Sequence, residues 1–413
     1  MEKINLFLID MSEDGTVSGV TRYLETLLRG LAAHSDIDVC WIRLIHSRRR
    51  LIHRQMRVDR HMEYIIPLPL AMDSIINESF WNQKYNAVVF HIIRHLFEGK
   101  KNIILHTHTL NLIDLSLYIR SKVDCKIITH LHCIPWKGIY NRNLGHFNHL
   151  YEMAYLHSTP ETDRKLILSD WEYRSYTKAD RLICVTRCGA DFIRKGITEV
   201  LPPMDIIPNG MDDFYEKRMV GRKKDKLIRL VYAGALSPSK GLPFILEALR
   251  GVKQRGYDNI QLQIAGGGHP RFVDSLASQY RDLDIKFWGL LPFDKLKEVY
   301  RDSDIGVIAS LQEQASYVAL EMAMFGLAVI TTAVDGLEEM FTDGVTALKV
   351  GVTFSSGDGL KVDVKMLEDK LIELIEDKKK RQRLRYNARQ MYLKKLTLEQ
   401  MIERTVAVYH QLV

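Results

Sequence analysis

The sequence predicts an α/β protein built of two Rossmann-like domains, and two observations lead to this prediction. The chain has 413 residues, which exceeds what one hydrophobic core ordinarily organises, so two domains of roughly 200 residues are expected. In addition, residues 4–31 and residues 227–249 each read as a buried strand, a loop containing glycine and a helix, the opening of a nucleotide-type α/β unit. We place the domains at residues 1–208 and 209–396, with a last helix at residues 397–413.

The composition is that of a soluble globular protein, with 46% hydrophobic and 26% charged residues. No window approaches the roughly 20 apolar residues of a membrane span, and the start, MEKINLFLID, is typical of a first strand rather than a signal peptide. The five cysteines form neither a paired framework nor a metal set, which favours reduced thiols in a cytoplasmic protein. The net charge of +7 suits anionic partners without choosing among them.

The first predicted strand, Ile4–Ile9, leads into a loop and then into a helix marked by leucines at positions 24, 27, 28 and 31. Gly15 and Gly19 lie between strand and helix, and glycine lets the backbone approach a ligand closely. Because the loop lacks the GxGxxG pattern, dinucleotide binding is only weakly indicated. Gly19 is therefore a candidate ligand contact, and a plain strand-to-helix turn is the alternative.

A basic run follows at residues 46–61, HSRRRLIHRQMRVDRH. Its arginines are too many to be paired internally, so a solvated helix or loop face is the default interpretation. The sharper interpretation is that Arg48–Arg60 contacts an anionic membrane surface at the inner face of the membrane, with about 1 kcal/mol per basic residue. Nucleic-acid binding is not expected, because the run lacks aromatic residues on which bases could stack.

Two apolar strands end in histidines, at residues 103–108 and 126–132. Parallel strands deliver their carboxyl ends to the ligand crevice. The alternation of side chains places His106 and His108 on one face of their strand, and His130 and His132 on one face of the next. Zinc is an alternative for these four side chains, but no carboxylate or cysteine completes a clear ligand set, so we predict no metal.

The second domain opens with a strand at residues 227–233, the loop GALSPSKG and a helix. The loop contains Gly234, Ser239 and Lys240. A lysine at a loop-to-helix junction suits a diphosphate, because it places a compact cation beside unpaired backbone amides. Gly266 begins a second glycine loop after the strand at residues 260–265, which would also allow a close approach of a ligand.

The most informative stretch is IASLQEQASYVALEMAMFGLAVITT, at residues 308–332. It predicts a buried helix, a glycine stop and a buried strand. Glu321 lies within the apolar helix, where a carboxylate is costly unless it is paired. Glu313 precedes it with seven residues between, and the amides of Ala315, Ser316 and Tyr317 would attract a phosphate at the helix start. The stretch suits a nucleotide sugar. The alternative is a surface Glu313 and a Glu321 held in a structural ion pair.

Glu-x7-Glu followed by an apolar helix, glycine and a strand resembles the donor-site signature of retaining glycosyltransferases of the GT-B fold, family 4 or "group 1". Further segments are similar to the same family. DRLICVT, at residues 180–186, resembles its "adriicvS", and Pro208–Asp212 resembles "iPNGvD". GALSPSKG resembles "G-R-L-x-x-x-K-G", with Ala235 in the place of the arginine.

The resemblance implies two domains facing across a cleft, with the C-terminal helix returning to the N-terminal domain. It also implies transfer of a sugar with retention of configuration, without a metal, from a UDP- or GDP-sugar to a glycan, lipid-linked or polypeptide acceptor. Glu321 would bind the ribose, Glu313 the transferred sugar and Lys240 the diphosphate. His132 would line the reacting face, with His130 as the reserve candidate.

The remaining donor-binding candidates are Gly19, Gly234, Ser239, Gly266, Ala315, Ser316 and Tyr317. Two other functions stay open. One is a sugar-nucleotide epimerase on the same fold. The other is a non-catalytic partner subunit, for which the missing arginine at Ala235 is the best support.

Overall fold

The computed structural model describes residues 3–14, 18–46, 53–68, 78–134, 170–196, 200–215, 227–355 and 359–413. Within these residues the chain forms two compact units. The first contains residues 3–132, 170–210 and 398–413, and the second contains residues 133–134 and 211–397. The split after residue 210 lies beside the boundary predicted after residue 208. Gly15 and Arg48–Arg50 lie outside the described residues.

The first unit is organised by a sheet that has eight strands among the described residues. The strands are β1 (Ile4–Glu13), β2 (Ile37–His46), β3 (Arg54–Val58), β4 (His61–Leu68), β5 (Ile103–Thr107), β6 (Lys126–Leu131), β7 (Arg181–Cys184) and β8 (Met204–Ile206). Their order is β3-β4-β2-β1-β5-β6-β7-β8, and only β3 runs antiparallel to its neighbour. The order reverses between β1 and β5, and a ligand crevice is expected at the carboxyl ends of the strands there.

Five helices of the first unit precede residue 200 in the described part of the chain. They are α1 (Gly19–Leu31), α2 (Glu78–Ile93), α3 (Ile113–Arg120), α4 (Asp170–Thr177) and α5 (Arg187–Gly196). Residues 4–10 of β1 and all five residues of β5 are buried. Strands that are buried on both faces, like these, are expected where helices cover both sides of a parallel sheet.

The second unit has a six-stranded, entirely parallel sheet in the order β11-β10-β9-β12-β13-β14. The strands are β9 (Ile228–Ala233), β10 (Ile260–Ala265), β11 (Ile285–Gly289), β12 (Ile305–Ile308), β13 (Ala328–Thr332) and β14 (Ala347–Val350). A small hairpin follows, formed by β15 (Val352–Ser355) and β16 (Gly359–Val362). Here the order reverses between β9 and β12, so the switch point of this sheet lies at the carboxyl ends of these two strands.

Seven helices belong to the described part of the second unit. They are α6 (Leu242–Gln254), α7 (Pro270–Gln279), α8 (Phe293–Asp302), α9 (Tyr317–Met324), α10 (Asp335–Met340), α11 (Val364–Glu376) and α12 (Lys378–Lys395). Seven of the eight residues of α9 are buried, Gly326 then adopts a φ of +60°, and β13 is buried throughout. The predicted order of buried helix, glycine stop and buried strand is confirmed.

The last helix, α13 (Leu398–His410), belongs to the first unit and packs against α1. The contact depends on Gly30 of α1, because a Cβ atom there would lie 2.2 Å from Cγ1 of Ile402. The return of the C-terminal helix to the N-terminal unit, which the resemblance implies, is therefore seen directly. The fold prediction of two Rossmann-like α/β domains is confirmed.

The basic run is only partly described, and its described part differs from the prediction. Residues 54–58 form the edge strand β3 instead of a helix or loop face. The side chains of Arg54 and Arg57 are exposed there, as is Arg60 in the turn that follows. Among the described residues, no helix combines the length and the apolar character needed to cross a membrane.

Substituting Gly30 tests the docking of α13 on α1. Gly30→Ala should lower the free energy of unfolding by about 1–3 kcal/mol, because the added methyl group overpacks the contact with Ile402. Combining it with Ile402→Ala should cost less than the sum of the two single changes. Urea unfolding followed by circular dichroism measures these values.

Gly19→Ala is the matched control for this experiment, because it lies in the same helix and an added Cβ would have no atom within 4 Å. It should change stability by less than about 1 kcal/mol. Fully additive losses at Gly30 and Ile402 would contradict the proposed contact.

Candidate functional site

The candidate donor site lies in the second unit, where the strand order reverses. The loop after β9 runs through residues 234–241, and the loop after β12 runs through residues 309–316. Both loops leave from the carboxyl ends of adjacent parallel strands, which is where doubly wound sheets bind their ligands. The sequence prediction placed Lys240 in the first loop and Glu313 in the second.

Lys240 and Glu313 form an ion pair between the two loops. The Nζ atom of Lys240 lies 2.5 Å from Oε2 of Glu313, and the hydroxyl of Ser310 donates to the same oxygen from 3.5 Å. The side chain of Lys240 is 36% exposed and that of Glu313 is 15% exposed. A pair this close to solvent contributes on the order of 1 kcal/mol or less to stability, so an anionic ligand can displace it.

Backbone contacts hold the two loops in register. Gly241 has a φ of +75°, and a Cβ atom at this position would lie 1.8 Å from the carbonyl oxygen of Ala309. The amide of Leu311 donates to the carbonyl of Ser239 at 2.9 Å. Glycine is therefore required at position 241 both for the left-handed backbone and for the close approach of the second loop. This approach sets Lys240 opposite Glu313.

The backbone of Glu313 is also bound to the start of α10. The amide of Gly336 donates to the carbonyl of Glu313 at 2.9 Å, and the amide of Glu313 lies 3.4 Å from Oδ2 of Asp335. Asp335 has a φ of +40°, an uncommon backbone conformation for a residue with a side chain. Its carboxylate faces the amide of Glu313.

Gly234 and Gly266 begin the loops after β9 and β10, and their backbones touch. A Cβ atom on Gly266 would lie 1.8 Å from the carbonyl oxygen of Gly234. Ser239 lies further along the first loop, with its hydroxyl 3.1 Å from that of Ser237. The structure thus brings four predicted donor-site residues, counting Lys240, to one end of the sheet. Ala235, in the position of the family's arginine, is exposed.

Glu321 is completely buried within α9, and one of its partners was not predicted. The hydroxyl of Tyr300, on α8, donates to Oε2 of Glu321 at 2.6 Å. This charge-assisted hydrogen bond offsets part of the cost of burying the carboxylate. The sequence places Tyr300 on a helix without any signal that it reaches Glu321, because the two residues are 21 positions apart.

The start of α9 lies between the two glutamates in the chain. Ser316 is its N-cap, and its hydroxyl accepts a hydrogen bond from the amide of Ala319 at 3.2 Å. The helix begins at Tyr317, so Ala315 precedes the cap and lies outside the first turn that we predicted for it. The amides of this first turn carry the positive end of the helix dipole.

The first unit holds the predicted histidines at the ends of β5 and β6. Nε2 of His106 lies 3.2 Å from Nδ1 of His130, and Nδ1 of His108 lies 3.1 Å from Nε2 of His132. The rings of His106 and His108 are 4.1 Å apart between centroids, as are those of His130 and His132. The alternation along each strand therefore places each pair on one face, as the sequence predicted.

Burial keeps this histidine cluster uncharged at neutral pH. Burial lowers the pKa of His106 and of His132 to about 3, and it lowers the pKa of His108 and of His130 well below the usual value. Neighbouring histidines lower the pKa of His106, His108 and His130 further. His132 is only partly buried, whereas the other three side chains are at most 3% exposed. His132 and His130 were the two candidates for the reacting face, and His132 is the more accessible of the two to a ligand.

Two buried nitrogens of the cluster find no hydrogen-bond partner in the described part of the chain. They are Nε2 of His108 and Nε2 of His130. A buried polar atom without a partner costs about 1–3 kcal/mol. The cluster therefore lowers the stability of the fold relative to a network in which every buried nitrogen has a hydrogen-bond partner.

Two tyrosines that the sequence analysis did not single out surround the cluster. The hydroxyl of Tyr409, on α13, lies 2.9 Å from Nδ1 of His106. Tyr23, on α1, packs its ring against His108, His130 and His132 with centroids 4.6–5.6 Å apart. The only feature of the sequence that could have indicated their burial is that both tyrosines fall on the apolar faces of amphipathic helices.

Gly19 and Asp10 lie on the β1 side of the same sheet. Gly19 is the first residue of α1, after the N-cap Ser18, whose hydroxyl accepts from the amide of Thr21 at 3.0 Å. Asp10 is buried and accepts a 2.7 Å hydrogen bond from the indole of Trp41. Burial raises the pKa of Asp10 to about 6, while the charge of Arg43 and the Trp41 bond oppose the rise. The sequence could have singled out Asp10, because an aspartate is unusual inside an apolar strand.

Comparisons with known proteins identify the family of the chain. The family model described as Glycosyltransferase Family 4 matches residues 17–213, and the model Glycosyl transferases group 1 matches residues 213–391. The phosphatidylinositol N-acetylglucosaminyltransferase GPI3 subunit of Saccharomyces cerevisiae is 29% identical over 182 residues, which are 41% of this chain and 39% of that protein. The chain thus spans about two fifths of the length of this curated relative.

Solved structures share the fold at lower identity. Sucrose-phosphate synthase from Thermosynechococcus elongatus matches 99% of both chains with a TM-score of 0.73 and 19% identity. Anabaena HepE in complex with UDP and glucose matches with a TM-score of 0.66 and 14% identity, over 97% of this chain and 98% of that one. Two consecutive family models and a shared two-unit α/β architecture lead to one conclusion: the chain belongs to the group 1 glycosyltransferases with the GT-B fold.

Proposed function

We propose that this chain transfers a sugar from a nucleotide sugar to an acceptor with retention of the anomeric configuration. The observation that carries the proposal is the ion pair of Lys240 and Glu313 at the switch point of the second unit's sheet. In this proposal Lys240 is the cation for the diphosphate, and Glu313, just before α9 in the chain, is the carboxylate for the sugar hydroxyls. Similarity to a protein crystallised with UDP and glucose supports a donor such as a UDP-sugar, with a GDP-sugar as the other candidate.

The pair is the resting arrangement of two groups that separate when the donor binds. The diphosphate carries more negative charge than Glu313, so it competes successfully for Lys240 in a partly exposed site. Lys240 and the first-turn amides of α9 then stabilise the charge that grows on the leaving diphosphate. Release from Lys240 leaves the carboxylate of Glu313 available to the hydroxyl groups of the transferred sugar.

Glu321 anchors the ribose in this proposal, and Tyr300 positions it. One carboxylate oxygen receives the Tyr300 hydroxyl at 2.6 Å, which fixes the orientation of the group within the apolar helix. His132 lines the reacting face as a neutral imidazole, and the departing phosphate takes the acceptor's proton on the same side of the sugar. Gly19, Gly234, Ser239 and Gly266 allow the backbone to approach the donor, and Ser316 and Tyr317, at the start of α9, supply amides.

No metal ion is needed at the diphosphate in this proposal. Lys240 and the positive end of α9 supply the positive charge that a divalent cation would otherwise provide. Nucleotide binding to the second unit should therefore be the same with magnesium and without it.

The acceptor is proposed to be lipid-linked, with glycan and polypeptide acceptors as the other candidates. Similarity to a phosphatidylinositol N-acetylglucosaminyltransferase subunit supports a lipid. The exposed arginines Arg54, Arg57 and Arg60 supply cationic groups for a peripheral contact with anionic lipid headgroups at the inner face of the membrane. The protein would then work in the cytoplasm, at the membrane surface.

A second candidate is a non-catalytic partner subunit, and one observation favours it. Ala235 removes the arginine that the resembled family places on the diphosphate, so one charge-assisted contact is missing. Such a subunit would keep the fold but bind nucleotide sugars weakly or not at all. Nucleotide-dependent thermal stabilisation therefore separates the two candidates. A sugar-nucleotide epimerase, the third, would convert the donor without any acceptor.

Substitutions at Lys240 and Glu313 test the proposed transfer. Lys240→Met should lower kcat by about 10²–10³-fold, because a preorganised contact to the leaving group is lost. Glu313→Gln should also remove most of the activity. Both variants should fold, since the pair contributes on the order of 1 kcal/mol or less. Product formation from a radiolabelled nucleotide sugar, with thermal unfolding alongside, measures both effects.

Lys295→Met is the matched control, because it also removes a lysine from an ion pair of the second unit. Lys295 pairs with Glu298 on the surface, and both side chains are more than 60% exposed. This variant should keep full activity. Undiminished turnover in Lys240→Met or in Glu313→Gln would refute the assignment.

Restoring the missing arginine gives a test in the opposite direction. Ala235→Arg should tighten binding of the nucleotide diphosphate about tenfold or more, because a charge-assisted hydrogen bond contributes about 1.5–3 kcal/mol. Ala235→Gln, which has a long polar side chain without charge, is the control and should change affinity little. Calorimetric titration with the nucleotide diphosphate at two salt concentrations measures the affinity of the unchanged chain and of both variants. Equal affinities for all three proteins would mean that residue 235 does not lie near the phosphates.

Removing two exposed arginines tests the proposed membrane contact. Arg54→Gln with Arg57→Gln should weaken binding to phosphatidylserine vesicles by about 2 kcal/mol, or roughly 30-fold. Arg281→Gln with Lys295→Gln removes two exposed charges from the second unit and serves as the control. Vesicle sedimentation measures the partitioning. Equal binding by both double variants would rule out this surface.

A further inference from the structure

The buried histidine cluster has a feature that the proposed transfer does not use. His106, His108 and His130 each bring one ring nitrogen to within 4.8 Å of the nitrogens of the other two. We propose that these three histidines form a binding site for a divalent transition-metal ion, with Zn²⁺ as the best fit. This revises the expectation, drawn from the sequence, that the chain has no metal site.

The spacing of one pair of nitrogens fits coordination directly, and all three lie within 4.8 Å of one another. Nε2 of His106 and Nδ1 of His130 are 3.2 Å apart, close to the roughly 3.3 Å between two ligands of a tetrahedral zinc with bonds of about 2.0–2.1 Å. Among the described residues, no carboxylate or thiolate joins the three rings within this spacing. Three imidazoles with a water as fourth ligand are a set that zinc accepts, and imidazole ligands suit Zn²⁺, Co²⁺, Ni²⁺ and Cu²⁺.

The partners of the rings fit a coordination shell as well. Metal-bound histidines usually donate their second ring N–H to a neighbouring acceptor, which orients the ring. Nδ1 of His106 lies 2.9 Å from the Tyr409 hydroxyl, and Nδ1 of His108 lies 3.1 Å from Nε2 of His132. When these two Nδ1 atoms carry the protons, Nε2 of both rings is left with a lone pair for the ion.

Hydrogen bonding alone leaves the cluster incomplete. Nε2 of His108 and Nε2 of His130 are buried and find no partner in the part of the chain that the structure describes. An ion bound through Nε2 of His108 would use a lone pair that is otherwise buried without a partner, while His130 would bind through Nδ1, the atom that faces His106.

Cobalt titration of the full chain tests the site, because tetrahedral Co²⁺ has visible absorption bands. After removal of any affinity tag and dialysis against a chelator, we expect about one Co²⁺ per chain, displaced by Zn²⁺, and a higher melting temperature with Zn²⁺. His130→Gln should weaken binding by at least about 100-fold. Tyr409→Phe keeps the ring but removes the partner of His106, and should weaken binding by roughly 10–100-fold.

His91→Gln, an exposed histidine on α2 of the same unit, is the control and should bind Co²⁺ like the unchanged chain. Absence of both the visible bands and the Zn²⁺-dependent rise in melting temperature in the unchanged chain would overturn the proposal. That outcome does not require any variant to fold. Stabilisation by UDP, measured on the same samples, reports on the donor site separately, so failure of one proposal is distinguishable from failure of the other.

Discussion

The reversal of strand order in each parallel sheet is the constraint on which both candidate sites depend. A parallel sheet sends every strand end to the same edge, and at the reversal two neighbouring loops diverge and leave a crevice. In the second unit the reversal between β9 and β12 sets the loop carrying Lys240 beside the loop carrying Glu313. In the first unit the reversal lies between β1 and β5, and the histidines end β5 and its neighbour β6. The order of the strands thus determines where each candidate site lies, and the side chains on the loops determine what the site can bind.

The two sites handle polar groups in different ways. The candidate donor site leaves its cation and carboxylate partly exposed and weakly paired, so the proposed diphosphate ligand could replace Glu313 as the partner of Lys240. The histidine cluster is almost completely buried and uncharged, and its rings are held by close packing with Tyr23 and by the Tyr409 hydroxyl. The Lys240–Glu313 pair can therefore exchange a partner for a ligand at little cost in free energy, whereas the buried histidines can do so only at a high cost. This difference suits a substrate in one case and a resident ion in the other.

Sequence reasoning reached the elements whose signal is local. The buried helix and strand around Glu321, the lysine after β9 and the paired histidines follow from periodicity, spacing and a family resemblance, and the fold followed with them. It missed partners set by tertiary packing, such as Tyr409, which lies 303 positions from His106, and Tyr300 beside Glu321. It also missed β3, because the short polar edge strand RQMRV has no alternating apolar pattern to reveal it.

Ala235 links the sequence departure to the energetics of the site. With an arginine at this position, a second cation would join Lys240 and strengthen the attraction for a diphosphate. With alanine, Lys240 pairs with Glu313, and the carboxylate of Asp335 lies 3.4 Å from the amide of Glu313, so these three side chains carry no net positive charge. Donor binding must then break that pair without a second cation in reserve, and the first-turn amides of α9 carry a larger share of the attraction. The proposed donor site thus depends more on backbone dipoles and less on side-chain charge than the family pattern implies.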